Sequence, residues 1–153
     1  MEFTLKDICY MQSGGTPKST NHLFYGGKIP WVTISDFKNS EGDVLYKTEQ
    51  TITEDGLAAI NGRFFKKNTL LLAMYGSVGK TAILGVDAST NQAILGISSK
   101  DESVLNIKFN FSVRDNMITI NRLSLSDTPN TTGTLIQTTW IPGQFKVNDI
   151  MRD

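Results

Sequence analysis

The chain has 153 residues, 39% of them hydrophobic and 20% charged, with 15 basic and 15 acidic side chains and no net charge. That length suits one domain burying about two-thirds of its unfolded surface, and no window approaches the roughly eighteen apolar residues of a membrane span. Zero net charge excludes a binder of polyanions that works by bulk charge, since such affinity comes mostly from neutralised phosphates; it permits one that gathers its lysines on a single face. The opening MEFTLKDICYM carries acids and no apolar run ahead of small residues. No secretory signal is read there, and the cytoplasm is the expected compartment. One cysteine, Cys9, and one histidine, His22, supply neither an internal disulfide nor a Cys/His metal cluster. Cys9 is expected in the core and His22 in a loop.

In chain order, Thr4 to Met11 fits a short strand or a helical turn. Ser13-Gly-Gly-Thr-Pro-Lys-Ser-Thr-Asn is a surface loop, because its glycines admit positive φ, Pro17 fixes its own φ and the hydroxyls bond local backbone. Tyr25-Gly-Gly-Lys-Ile-Pro makes another turn before Trp31-Val-Thr-Ile-Ser, a β-branched strand expected to end at Asp36. Lys38 to Gln50 is less regular. Thr53 caps a short helix with acids in its first turn and Leu57 and Ile60 three apart, and Gly62 stops it. Lys66-Lys-Asn turns into Thr69 to Tyr75, an apolar run continuous enough for a strand buried on both faces.

A turn at Gly76 to Gly79 leads into an antiparallel partner strand, Thr81 to Val86, and Asn91-Gln92 leads into a third, Ala93-Ile-Leu-Gly-Ile. Beyond Ser98 the pattern weakens. Val104 to Ile120 has no clean period, and Ser124 to Thr139, rich in Ser, Thr, Asn and Pro, reads as exposed loop or disorder. Trp140-Ile-Pro-Gly reads as a short hydrophobic anchor or part of a fraying tail.

Gly79-Lys-Thr superficially ends a phosphate loop, but that loop requires a glycine five residues earlier so that successive N–H groups curl around a phosphate, and Met74 stands there. The segment Thr81 to Val86 is short and β-branched, with Gly85 inside it, where a long helix should open. A phosphate- or nucleotide-binding enzyme using Gly76 to Thr81 is kept as the alternative from another class. Asp36-Phe-Lys38 superficially resembles the carboxylate-x-lysine end of a nuclease site, but the pattern is too short to carry that reading, and a strand-end aspartate capping a turn beside a solvated lysine is the favoured one. With a lone histidine, no nucleophile elbow, no spaced pair of acids and no methyltransferase signature, no catalytic residue, metal or cofactor is expected.

Five fragments occur in order: Ser13-Gly-Gly-Thr-Pro-Lys; Tyr25-Gly-Gly-Lys-Ile-Pro-Trp-Val-Thr-Ile-Ser-Asp-Phe; Ile52-Thr-Glu-Asp-Gly-Leu; Thr69-Leu-Leu-Leu-Ala-Met-Tyr-Gly-Ser-Val-Gly-Lys-Thr-Ala-Ile-Leu; and Thr90-Asn-Gln-Ala-Ile. Together, over residues 10 to 97, the series closely resembles the target recognition domain of type I restriction-modification specificity subunits. The resemblance implies a module that reads one half of a split target in double-stranded DNA and directs partner methyltransferase and restriction subunits, without catalysis of its own. The expected fold is α+β: a bent, largely antiparallel β-sheet with short helices, residues 1–98 forming the recognition core and 99–153 a divergent C-terminal part of the same domain.

The residues suit such a role physically. Gly-containing loops permit close backbone approach to phosphates. The expected DNA-binding set is Thr16, Lys18, Ser19 and Thr20 in the first loop; Thr33, Ser35 and Lys38 around the next strand end; Tyr75, Gly76, Ser77, Gly79 and Lys80 at the hairpin; and Asn91 and Gln92. Asn and Gln match adenine edges, and Lys matches guanine or phosphate. The competing structural roles are a tight turn for Gly76 and Gly79, core packing for Tyr75, and loop capping for Asn91-Gln92. In the family, a complete subunit has two recognition domains separated by long helices, whereas this chain has room for one domain. Gly133-Thr-Leu-Ile-Gln and Ile141-Pro only faintly echo the family's approach to its spacer helix. A half-size subunit, pairing as a dimer or with another half, and an inactive truncated fragment are both compatible with that.

Overall fold

The computed structural model describes residues 9–40, 44–75 and 80–100 with their side chains, and residues 2–3, 111–114, 117–120, 123–124, 132–133, 137–141, 144–145 and 151–152 as backbone strands. The chain divides into two compact units, Gln12–Gly96 and the combination of Met1–Met11 with Ile97–Asp153. The strands from Cys9 to Ser99 are β1 (Cys9–Ser13), β2 (Tyr25–Val32), β3 (Val44–Leu45), β4 (Gln50–Ile52), β5 (Leu70–Ala73), β6 (Thr81–Leu84), β7 (Ser89–Thr90) and β8 (Ile94–Ser99), with one α-helix, α1 (Glu54–Ala59). They form two sheets, ordered β1-β8-β5-β6-β3 and β4-β2-β7. Pairing is antiparallel between β5 and β6 and between β2 and β4, and parallel between β3 and β6 and between β2 and β7. With the short helices, this is the expected α+β class.

The central strand explains itself. All four residues of β5 are buried, which a continuous apolar run requires of a strand covered on both faces. Leu71 and Ala73 pack with Val32, Phe37, Leu45, Phe65, Ala82, Leu84, Ala88 and Ile94. A second cluster joins Ile29, Trp31, Ile52 and Ile60, with Tyr25, Leu57 and Phe64 against it. Because successive strand residues face opposite sides, neighbours Trp31 and Val32 serve different clusters.

Two expectations around β2 are corrected. The Gly26-Gly27 turn is instead an irregularity inside one strand: Tyr25 and Ile29 both face Ile52 across a register shift. Gly26 takes φ 79° there, a left-handed conformation natural to glycine and to bulges. The strand also stops at Val32, not Asp36, and Ile34–Asn39 winds into a 3₁₀ helix. The cause is Asp36, whose buried carboxylate accepts from the Thr33 backbone N–H at 2.7 Å, the Thr33 hydroxyl at 3.1 Å and the Glu49 N–H at 2.8 Å. A helix-start bond of this kind pulls the chain out of the sheet. At α1 the expectation holds: Thr53 accepts from Gly56 N–H at 3.1 Å, and Gly62, at φ 66°, donates to Leu57 O at 2.9 Å.

In the unit containing the C-terminal residues, Phe111–Arg114, Met117–Ile120, Gln137–Ile141 and Gln144–Phe145 make an antiparallel four-stranded sheet. Leu123–Ser124 pairs with Thr132–Gly133, and Glu2–Phe3 with Met151–Arg152. Ser124 to Thr139, expected as loop or disorder, therefore contributes strand at three places, where β-branched threonines offset its polar composition. Residues 4–8 of the expected first element lie outside the described residues. Among the described residues, no helix is long and apolar enough to cross a membrane, and no group of His, Cys, Asp and Glu could hold a metal.

Cys9 is buried as expected, and desolvation pushes its thiol up to about 12 against the pull of Lys100. Thiolate is the reactive form. Iodoacetamide at about pH 8 should therefore leave Cys9 unmodified in the folded chain and label it once urea unfolds the protein; labelling of the folded chain at the rate of a free thiol would contradict this burial.

Candidate nucleic-acid interface

The loop following β1 is fastened down at its start. Gly14 N–H donates to Ile94 O at 3.1 Å and Gly15 N–H to Thr90 O at 2.9 Å. The carbonyls are held as well: Arg63 Nη1 donates to Gly14 O at 2.9 Å, Trp31 Nε1 to Gly15 O at 3.1 Å, and Tyr25 Oη to Pro17 O at 2.6 Å. There is no room for a side chain, since a Cβ on Gly14 would overlap Thr90 and one on Gly15 would sit 2.8 Å from Ile60 Cβ. This corrects the expected reason for the glycines. Neither has positive φ, and their N–H groups are engaged within the protein, not open to phosphate. What the anchoring leaves outside is the run of exposed polar residues Thr16, Lys18, Ser19 and Thr20.

A second segment meets this loop. Asn91 N–H donates to Val32 O at 2.9 Å, and the Asn91 side-chain oxygen accepts from Ala93 N–H at 3.0 Å, an Asx turn of the expected capping type. The turn projects Gln92, whose Oε1 accepts from the Thr16 hydroxyl. Onward, Met74 N–H donates to Ala93 O at 2.8 Å and Ala73 N–H to Lys80 O at 2.9 Å. Hydrogen bonds thus run from the first loop through the Asn91–Ala93 turn to both flanks of the β5–β6 hairpin. Gly76, Ser77 and Gly79 lie outside the described residues. Tyr75 is 45% exposed, not core, and Lys80 is exposed. Thr81 opens β6 and not the long helix that would follow a phosphate loop, which removes the nucleotide reading of Gly76 to Thr81.

The charges carried by these segments themselves are of one sign. Residues 14–21, 74–81 and 91–93 contain Lys18 and Lys80 and no Asp or Glu. Neither lysine is in an ion pair among the described residues, whereas Lys38 lies 3.8 Å from Glu49 and Lys66 3.5 Å from Asp87. The Asp87 carboxyl is held below the usual carboxylate range, chiefly by the Lys67 backbone N–H.

Thr33, Ser35 and Lys38 form a separate group around Glu49. The Thr33 and Ser35 hydroxyls are 2.9 Å apart, and Ser35 Oγ donates to Glu49 Oε2 at 3.4 Å. Asn39 Nδ2 donates to Glu49 Oε1 at 3.2 Å. Ser35 and Lys38 thus both face the Glu49 carboxylate. Asp36, fully buried and engaged, has the turn-capping role and not that of a metal ligand. Sequence reasoning missed Trp31 and Arg63 as residues that position the loop. A buried indole N–H needs an acceptor, so Trp31 carried a signal; Arg63, some fifty positions from its partners, carried none.

The family model described as the type I restriction modification DNA specificity domain matches residues 1–142. The chain belongs to this family. Among curated members of such systems, the type I restriction enzyme MjaIX specificity subunit of Methanocaldococcus jannaschii is 35% identical over 97 residues, 63% of this chain and 22% of the relative. The EcoprrI specificity subunit of Escherichia coli is 27% identical over 110 residues, 70% of this chain and 27% of that protein. This specificity-domain chain therefore spans about a quarter of the length of the curated relatives it matches. The HsdS subunit from Thermoanaerobacter tengcongensis, a solved structure, superposes with a TM-score of 0.48 at 15% identity, covering 66% of this chain and 24% of that one.

Proposed function

We propose that the chain is a DNA-reading module of a type I specificity subunit, contacting one half of a split duplex target and leaving methylation and cleavage to partner methyltransferase and restriction subunits in the cytoplasm. A second such module, on another chain or elsewhere in the same polypeptide, reads the other half. Residues 99–153 are taken as the C-terminal part of the same recognition domain. The observation that carries this reading is that two loops free of carboxylates in the Gln12–Gly96 unit are joined by the Thr16–Gln92 contact, with Lys18 and Lys80 unpaired among the described residues. Lysines position a duplex through its phosphates, and Gln92 offers an amide to base edges. Ser19, Thr20 and Tyr75 contribute further backbone contacts, with Gly76, Ser77 and Gly79 placed beside them in the sequence.

Salt dependence tests the assignment. Log affinity for a duplex chosen from a randomised pool should fall linearly with log salt, and Lys18→Ala and Lys80→Ala should each reduce the slope by about 1 while weakening binding evenly across sequences. Binding insensitive to salt, or lysine variants with the original slope, would remove these segments from the interface.

A further inference from the structure

Arg63 stands at the root of two of the proposed DNA-contacting segments, and much of its guanidinium is unused. Nη1 donates to Gly14 O at 2.9 Å, with the two Ser13 oxygens at 3.5 Å, the far limit of a hydrogen bond. The Arg63 carbonyl accepts from the Ser89 hydroxyl at 2.7 Å, just ahead of the Asn91–Gln92 turn. Of the guanidinium's donors, those on Nε and Nη2 have no partner among the described residues.

The charge has no counterpart either. Arg63 is half-buried, and among the described residues no carboxylate forms an ion pair with it; the pairs there are Lys38–Glu49 and Lys66–Asp87. Residues 8–35, 56–86 and 88–100, which contain Arg63 and every group it bonds, hold no Asp or Glu. Asp87, between the last two stretches, is taken by Lys67 N–H at 2.8 Å and Lys66 Nζ at 3.5 Å. A charge drawn partly out of water is normally paired. The unused Nε and Nη2 lie on one edge of a planar fork, and such an edge meets an anion with two oxygens through two parallel bonds.

Two anions match that edge, a duplex phosphate and a carboxylate of a partner protein. Its anchorage favours the phosphate. Gly14 opens the loop that carries Lys18, and it backs so closely onto Thr90 and Asn91 that a Cβ has no room. Resting on the DNA-reading assignment, we infer that Arg63 binds one backbone phosphate of the duplex through the Nε–Nη2 edge of its guanidinium, while Nη1 holds the first loop in place. It adds a phosphate contact to those of Lys18 and Lys80 and reads no base.

The experiment measures affinity against salt for the unmodified chain, Arg63→Gln, Arg63→Lys and Lys18→Ala, with thermal melting alongside. The duplex is one selected from a randomised pool, used intact and with a neutral methylphosphonate at one linkage at a time. Arg63→Gln retains an amide donor but loses the charge and the fork. It should lower the salt slope by about 1 and weaken all sequences alike. It should also be indifferent to one neutral linkage at which the unmodified chain loses about tenfold in affinity. Arg63→Lys keeps the charge without the fork, so it should hold the slope, bind more weakly and respond less at that same linkage; if Arg63→Gln melts too low to assay, this comparison decides. An arginine that only ties down Gly14 predicts an Arg63→Gln chain with the original slope and the original response at every linkage. That result, or an Arg63→Lys chain with the original affinity, would overturn the inference while a lower slope in Lys18→Ala keeps DNA reading intact. An unchanged slope together with lost binding to methyltransferase subunits would assign the fork to a partner's carboxylate instead. Duplex binding by the unmodified chain that is absent or independent of salt would overturn the DNA-reading assignment and this inference with it.

Discussion

Trp31→Ala should lower the unfolding free energy by about 3–5 kcal/mol, the usual cost of deleting a large buried aromatic, and should abolish duplex binding. Trp31 is 5% exposed and sits among Ile29, Ile52 and Ile60. Its ring meets Tyr25 edge-on, with centroids 5.8 Å apart at 75°, a favoured aromatic geometry. The same side chain holds the first loop through Nε1 and Gly15 O, so its removal damages core and proposed interface together. Trp31→Phe separates the two effects. It keeps most of the apolar burial but leaves the Gly15 carbonyl without its indole donor, at a cost of about 1–3 kcal/mol. Urea titrations followed by circular dichroism give the stabilities, and duplex titrations the affinity. A Trp31→Ala chain within about 1 kcal/mol of the original would mean that the second cluster contributes little to holding the fold.

Asp36→Ala should cost about 2–3 kcal/mol, because it leaves the part-buried Thr33 and Glu49 N–H groups without the carboxylate that accepts from them. The Thr33 N–H at 2.7 Å and the Glu49 N–H at 2.8 Å both end on Asp36, and these bonds tie the 3₁₀ turn to the segment entering β4. Charge-assisted bonds of this sort are about twice as strong as neutral ones, so Asp36→Asn, which keeps an acceptor and loses the charge, should be intermediate. The check is the urea midpoint of each variant at constant slope. Equal midpoints for Asp36→Ala and the unmodified chain would show that the turn is held by something else.

Local determinants made much of this fold legible in the linear chain. The Thr53 cap and the Gly62 stop act within one helical turn of their partners, and hydroxyl capping and positive φ leave plain residue signatures. Leu70 to Ala73 needs burial on both faces whatever surrounds it, so a continuous apolar run announces a central strand. The second strand, Thr81 to Leu84, alternates buried and partly buried residues and pairs antiparallel with the first. The ordered series of fragments was enough to place the chain in its family, because the order of several individually weak motifs is far harder to match by chance than any one of them.

The roles that depended on distant partners were not legible. Gly14 and Gly15 were expected to approach a phosphate, but they are required by the closeness of Thr90 and Ile60. Asp36 caps a turn, as its residue type and neighbours suggest, but the strand ends at Val32 and not at Asp36, and its second partner, Glu49, lies in a segment whose path the residues did not reveal. At the candidate interface, residue types alone nominated lysines, hydroxyls and amides in three stretches of chain. Only the tertiary structure set Lys38 against Glu49, left Lys18 and Lys80 unpaired among the described residues, and joined Thr16 to Gln92. Composition and periodicity specify what each segment can offer; which of those groups stay available is decided by hydrogen bonds and ion pairs formed across the fold, because a polar atom already satisfied by the protein has little left for a ligand.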